Sequence, residues 1–370
     1  MNDRFTRGMA KAAALTRAGQ LQEATDLIQS LLGQGYPAAA TAVETPPTPK
    51  KRQKPAPSPR TGLAETLRKI AAGGMPAHGP LSDAVAVPQG ASFQSLTYRG
   101  PHGTREYRLY IPARRPDASM PLIVMLHGCT QTPEDFATGT GMNALAEEMG
   151  CLIVYPAQPS GANAQKCWNW FRPEDQARDR GEPALIAELT REVLRNHPAD
   201  AARTYIAGLS AGAAAAIITA AAYPEIFSAV GVHSGLPAGS AQDVPSAFSA
   251  MRRGTSSRPH DKIVPTIVFH GQADTTVHPT NGTAVMEQAL HAMADLEKVT
   301  ESGTSAAGRK YRRTAHMLAD GRSSAEHWEI EGAGHAWAGG HPAGSYTDPA
   351  GPDASRVMVT FFLQHVQRQR

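Results

Sequence analysis

The stretch Thr204-Tyr205-Ile206-Ala207-Gly208-Leu209-Ser210-Ala211-Gly212-Ala213-Ala214-Ala215-Ala216 decides how this chain folds. It opens with a short apolar run of the kind that forms a strand buried on both faces of a parallel sheet. It closes on alanine, the strongest helix former. Between them lies Gly-x-Ser-x-Gly, a tight turn that converts strand into helix and lifts a serine hydroxyl clear of the sheet edge. A Cβ at Gly208 or Gly212 would strike the neighbouring strand or helix. The pentapeptide by itself also arises by chance, and its plain reading is a turn serine. The strand–turn–helix setting makes Ser210 the candidate nucleophile.

Outward from this point the same alternation recurs. Apolar runs at 122–126, 152–155, 205–207, 230–232 and 267–269 read as buried parallel strands, and 93–98 and 106–111 as a pair of strands before them. Helical stretches fall between or after them at 142–149, 183–195, 213–223 and 283–293, with a closing helix at 354–365. Strand alternating with helix is the signature of an α/β fold with a mostly parallel central sheet and helices on both faces.

A serine hydroxyl needs a base beside it, and the base needs a carboxylate to orient it and to stabilise its charged form. Ligands in open α/β sheets bind at the carboxyl ends of the strands, which narrows the choice. Asp274 follows the run at 267–269 on such a loop, and His335 follows a strand expected at 327–330, in Gly332-Ala333-Gly334-His335-Ala336-Trp337. Asp261 precedes its strand and His327 stands at the start of its own, both at the wrong end. Asp348, Asp353 and His278 are weaker rivals. His341, six residues past His335 in the same loop, is the main competitor for the base. The tetrahedral oxyanion needs two backbone donors. Ala211 N–H, after the serine, is one. Cys129 N–H is the other, in His127-Gly128-Cys129-Thr130-Gln131 at the end of the strand 122–126.

Four pieces in this order resemble the poly(3-hydroxybutyrate) depolymerase family of esterases: His127-Gly128-Cys129-Thr130-Gln131, Cys167-Trp168-Asn169-Trp170-Phe171, Gly208-Leu209-Ser210-Ala211-Gly212 and Gly334-His335-Ala336-Trp337. These enzymes are α/β-hydrolases related to feruloyl and acetylxylan esterases, and the resemblance covers about residues 91–370. It implies a serine esterase that uses no metal or cofactor, with Ser210 as nucleophile, Asp274 as acid, His335 as base and Cys129 and Ala211 as oxyanion donors. The substrate it implies is poly(3-hydroxybutyrate) or its oligomers; a small or feruloyl-type ester is the alternative. A non-enzymatic granule-coating protein is the third reading, and the complete Ser/Asp/His order argues against it. Trp168 and Trp337, in loop-like sequence, are expected to wall an acyl groove, although core packing is the plain alternative. In the resembling family both Cys129 and Cys167 recur, which implies that they lie close enough to form a disulfide. Cys151 reads as a buried free thiol.

The first ninety residues differ in kind. Residues 1–35 hold an amphipathic helix, with Leu21, Ala24, Leu27, Ile28, Leu31 and Leu32 on one face. Residues 36–90 form a Pro-rich linker, disordered by composition, and its Lys50, Lys51, Arg52, Lys54 and Arg60 exceed the whole chain's net charge of +3. That tract reads as solvated linker and not as a nucleic-acid site. Helix and tract together would suit docking on a polyhydroxyalkanoate granule. The N-terminus has charges throughout and no apolar core, so a secretory leader is not expected. No run is apolar enough for a transmembrane segment. Cytoplasmic location follows as the expectation, with the extracellular location of many family members as the alternative. Hydrophobic residues at 41% and charged residues at 19% exclude a wholly disordered chain. Three cysteines exclude a disulfide-dense scaffold.

Overall fold

The computed structural model describes residues 87–113, 119–256, 264–291, 293 and 295–367. The expected N-terminal helix, nearly all of the linker, and Asp261 lie outside them. In chain order the elements are β1 (Ser92–Gly100), β2 (Gly103–Ile111), β3 (Met120–Leu126), α1 (Pro133–Thr140), α2 (Met142–Met149), β4 (Leu152–Pro156), α3 (Gly181–Asn196), β5 (Ala199–Leu209), α4 (Ala211–Ala222) and β6 (Ala229–His233). There follow α5 (Val244–Arg253), β7 (Thr266–Gly271), α6 (Thr280–Leu290), β8 (Glu297–Thr304), β9 (Lys310–Met317), β10 (Ser323–Ile330), β11 (Trp337–Ala338), β12 (Thr347–Asp348) and α7 (Ala354–Leu363).

Ten strands form one sheet in the order β1-β2-β4-β3-β5-β6-β7-β10-β9-β8. The six from β4 to β10 run parallel, and an antiparallel hairpin flanks them on each side, β1–β2 at one edge and β9–β8 at the other. Alternation along the buried strands sends side chains to two cores. Leu122, Val124 and Leu126 of β3 join one core with residues of α3, α4, α5 and α6. Ile123 and Met125 of the same strand join the other, with residues of α1, α2 and α7. The serine turn is carried between β5, in the middle of the sheet, and α4, whose alanines let the helix lie close on β5 and β6.

Five elements depart from what sequence pattern shows. α1 and α5 are short helices that begin at proline-containing first turns after the caps Thr132 and Asp243. β8 is mostly exposed, β9 is mostly half-buried, and both are rich in charge, so they carry little apolar alternation; such charge is what protects a sheet edge. β10 begins at Ser323, which puts His327 in the middle of its strand instead of at its start. Among the described residues no helix is long and apolar enough to cross a membrane.

Candidate active site

Ser210 stands between β5 and α4 with φ 58° and ψ −119°. A non-glycine residue held there costs about 1–3 kcal/mol, which the surroundings must offset. Its N–H donates to His233 O at 2.9 Å, and its own carbonyl accepts from Ala214 N–H at 3.0 Å. A Cβ on Gly208 would fall 2.4 Å from the carbonyl carbon of Gly212, and one on Gly212 would fall 2.1 Å from Leu126 O. Both positions therefore need glycine for close backbone approach. Thr130, Lys166, Ser210, Ser234 and Tyr346 all have φ between 50° and 67°. They lie on the connections that follow β3, β4, β5, β6 and β10, at the carboxyl edge of the parallel strands; Asp179 and Asp295 share the conformation, the latter just before β8.

Asp274 lies three residues beyond β7. Its Oδ1 accepts from Thr276 N–H and Val277 N–H, each at 2.9 Å. Its Oδ2 accepts from His335 Nδ1 at 2.7 Å, and His270 Nε2 stands 3.5 Å away. Burial alone would raise the pKa of this carboxyl, but hydrogen bonds from His270 and His335, and their charge when protonated, hold it well below the ordinary value. With Nδ1–H committed to the acid, Nε2 of His335 is the ring nitrogen left to exchange a proton. The loop bearing His335 is pinned on both sides. Ala273 N–H donates to Ala333 O at 2.9 Å, and Ala338 N–H donates to His233 Nε2 at 2.9 Å.

The oxyanion loop is held more heavily. Cys129 and Cys167 are joined by a disulfide, with Cα atoms 4.2 Å apart. Thr130 N–H donates to Gln165 O at 2.7 Å, and Trp168 Nε1 donates to His127 O at 3.0 Å. Gln131 works from the other side: its Oε1 accepts from Gly128 N–H at 2.9 Å, and its Nε2 donates to Asp135 at 2.9 Å and to Ser345 O at 3.1 Å. Among the described residues no protein acceptor takes the N–H of Cys129 or of Ala211. Tyr346, beside this loop, puts its hydroxyl 3.1 Å from Thr130 Oγ1. Neither Tyr346 nor Gln158, which backs the loop, had any sequence signal, whereas Gln131 belongs to the quoted His-Gly-Cys-Thr-Gln run.

The rivals have other employment. His341 is exposed, and its ring accepts from Ala343 N–H at 3.2 Å. His278 is exposed and contacts Thr280. Asp348 pairs with Arg309, and Asp353 caps α7. Trp168 and Trp337 require a correction. They are 0% and 1% exposed, with their indole N–H groups committed to His127 O and Ser355 Oγ. Both pack behind the loops and offer no face to an acyl chain; loop-like sequence concealed a packing role. Cys151 is buried, and burial pushes its thiol up to about 12.

The sequence profile of the family described as "Esterase PHB depolymerase" matches residues 105–310. The chain belongs to this family. Poly(3-hydroxyalkanoate) depolymerase C of Paucimonas lemoignei is 32% identical over 263 residues, which cover 66% of this chain and 62% of that one. The match therefore spans under two thirds of that relative's length. Feruloyl esterase B of Thermothelomyces thermophilus is 29% identical over 224 residues, 54% of this chain and 74% of that protein. An acetyl xylan esterase structure from Aspergillus awamori covers 66% of this chain and 94% of its own, with a TM-score of 0.56 and 22% identity. The shared fold is that of the α/β-hydrolases.

Within this family member a cleft of about 460 Å³ opens beside the oxyanion loop, lined by Glu106, Arg108, His127, Glu134, Gln158 and Lys166 among others. Ser210 and His335 are not on its wall.

Proposed function

We propose that this chain hydrolyses carboxylic esters through an acyl-enzyme on Ser210. The observation that carries the reading is the 2.7 Å bond from His335 to a buried, ionised Asp274, at the same sheet edge as the strained Ser210 turn. Ser210 Oγ attacks the ester carbonyl while its proton passes to His335 Nε2. The resulting oxyanion faces Cys129 N–H and Ala211 N–H. Collapse expels the alcohol, which takes the proton from His335. Water then attacks the acyl-enzyme with the same histidine as base and releases the acid. Asp274 orients the ring and stabilises its charged form.

For the substrate we infer a polyester of 3-hydroxybutyrate, on the family and on the relative from Paucimonas lemoignei. One observation favours a second reading, a small or feruloyl-type ester: the two tryptophans expected to form an apolar groove are buried. Incubation of the protein with amorphous polymer granules and with short nitrophenyl esters separates the two. Release of soluble hydroxyacid from granules is expected; turnover of soluble esters alone would replace the polyester with the second reading. The Ser210→Ala variant should lose at least about 10⁴-fold in kcat on either, and full turnover by it would remove the acyl-enzyme.

A further inference from the structure

The peptide joining Gly128 to Cys129 is held from its carbonyl side. Gly128 O lies 2.7 Å from His127 Nδ1 and accepts from Gln131 N–H at 3.3 Å. A peptide is planar and trans, so a carbonyl turned into the protein turns the Cys129 N–H the other way. Hydrogen bonds to the carbonyl also polarise that N–H. His127 supports this arrangement in one tautomer only, and the tautomer is set from behind. Gln158 N–H donates to His127 Nε2 at 3.0 Å, so Nε2 is bare and Nδ1 carries the proton. Burial lowers the pKa of His127 to about 4, against the opposing effect of its bond to Gly128, so the ring is neutral at neutral pH.

Gln158 is itself immobilised. Arg105 Nη1 donates to its Oε1 at 2.7 Å, and its Nε2 donates to Glu182 and, at 3.0 Å, to the carbonyl of Cys167. The segment that sets the tautomer is therefore tied to the disulfide that grips the loop.

We infer that His127, held in its Nδ1–H tautomer by Gln158, is a positioning residue that aims the Cys129 N–H at the oxyanion. The inference rests on the proposed acyl-enzyme at Ser210, whose oxyanion Cys129 N–H would face. His127 reaches no substrate atom in this role; it prevents the peptide from turning its carbonyl, an acceptor, toward the developing negative charge.

Leucine and asparagine are close in size, and only asparagine keeps a donor where His Nδ1 stood. The His127→Leu and His127→Asn variants are compared with the wild type and Ser210→Ala on a short nitrophenyl ester, with circular dichroism to establish folding. His127→Leu should lose about 10²–10³-fold in kcat, as for removal of one oxyanion donor, with KM within about threefold. His127→Asn should stay within about tenfold of wild-type kcat. If folded Leu and Asn variants differ in kcat by less than about tenfold, the inference is overturned. Should His127→Leu not fold, His127→Asn decides alone: a folded variant more than about tenfold below wild type overturns the inference, and a smaller loss supports it. Failure of the underlying reading looks different, because Ser210→Ala would then turn over ester at the wild-type rate.

Discussion

Asp274 and His335 meet through a single 2.7 Å hydrogen bond to an ionised carboxylate, whereas Cys129 is tied covalently to Cys167 within a lattice of neutral donors and acceptors. The contrast follows from what each side does. His335 must gain and lose a proton, so its partner is a charge, and its side chain, 12% exposed, still reaches solvent. The oxyanion donor is a backbone N–H that never titrates and needs only to stay in place. His127, Gln131 and Trp168, which touch its loop directly, are accordingly buried and neutral, and the charges of Asp135, Arg105 and Glu182 stand one contact further out. Buried neutral histidines recur around the site: His127 behind the oxyanion loop, and His233 accepting from the loop that bears His335.

The comparison breaks most severely if the charge at Asp274 is removed. Asp274→Asn should lower kcat by about 10⁴-fold, as in serine proteases, through loss of the imidazolium partner and of the required tautomer. A loss under about tenfold would assign the acid elsewhere.

Acid should attack the neutral supports before it reaches Asp274. Burial lowers the pKa of His127 and His365 to about 4 and of His233 and His327 to about 3, from 6.5. Below pH 6.5 the unfolded chain binds protons that the folded one refuses, so stability falls as pH falls. Each histidine contributes a loss of about 1.4 kcal/mol per pH unit until its folded pKa is reached. Asp274 has the opposite sign: its depressed pKa adds stability that is fully present above about pH 4 and is lost only below it. Denaturant midpoints measured from pH 7 to pH 4 should therefore drop steeply between 6.5 and 4. A flat profile over that window would show that these histidines are protonated in the fold.

Removing the covalent tie sharpens the comparison at a smaller scale. The bridge closes a loop of 38 residues, and replacing Cys129 and Cys167 with alanine should cost about 2–4 kcal/mol of stability. The Cys129 N–H survives that change, as do the hydrogen bonds of Gly128 O, so kcat should stay within about tenfold. Thermal unfolding and ester turnover on one preparation separate the two effects. A loss of kcat as large as that expected for Asp274→Asn would mean that the bridge alone, and not the hydrogen-bond lattice, holds the donor.

Local chemistry was enough to write Ser210, the buried parallel strands and the two glycines of the turn into the sequence, because each depends on neighbours a few residues away. The loops carrying Asp274 and His335 were legible as carboxyl ends of apolar runs. Their pairing was expected over the rival His341, and the packing of the loop after β10 against β7 is what brings His335 to Asp274, 61 residues away. The edge hairpin β8–β9 escaped notice because exposed strands need no apolar alternation. Trp168 and Trp337 were misread for a related reason: an indole on a loop faces either solvent or core according to what the rest of the chain brings against it. The tautomer of His127 lies at the far end of this scale. It depends on one backbone N–H that β4 delivers from 31 residues away, and no pattern in the amino acids around position 127 records that contact.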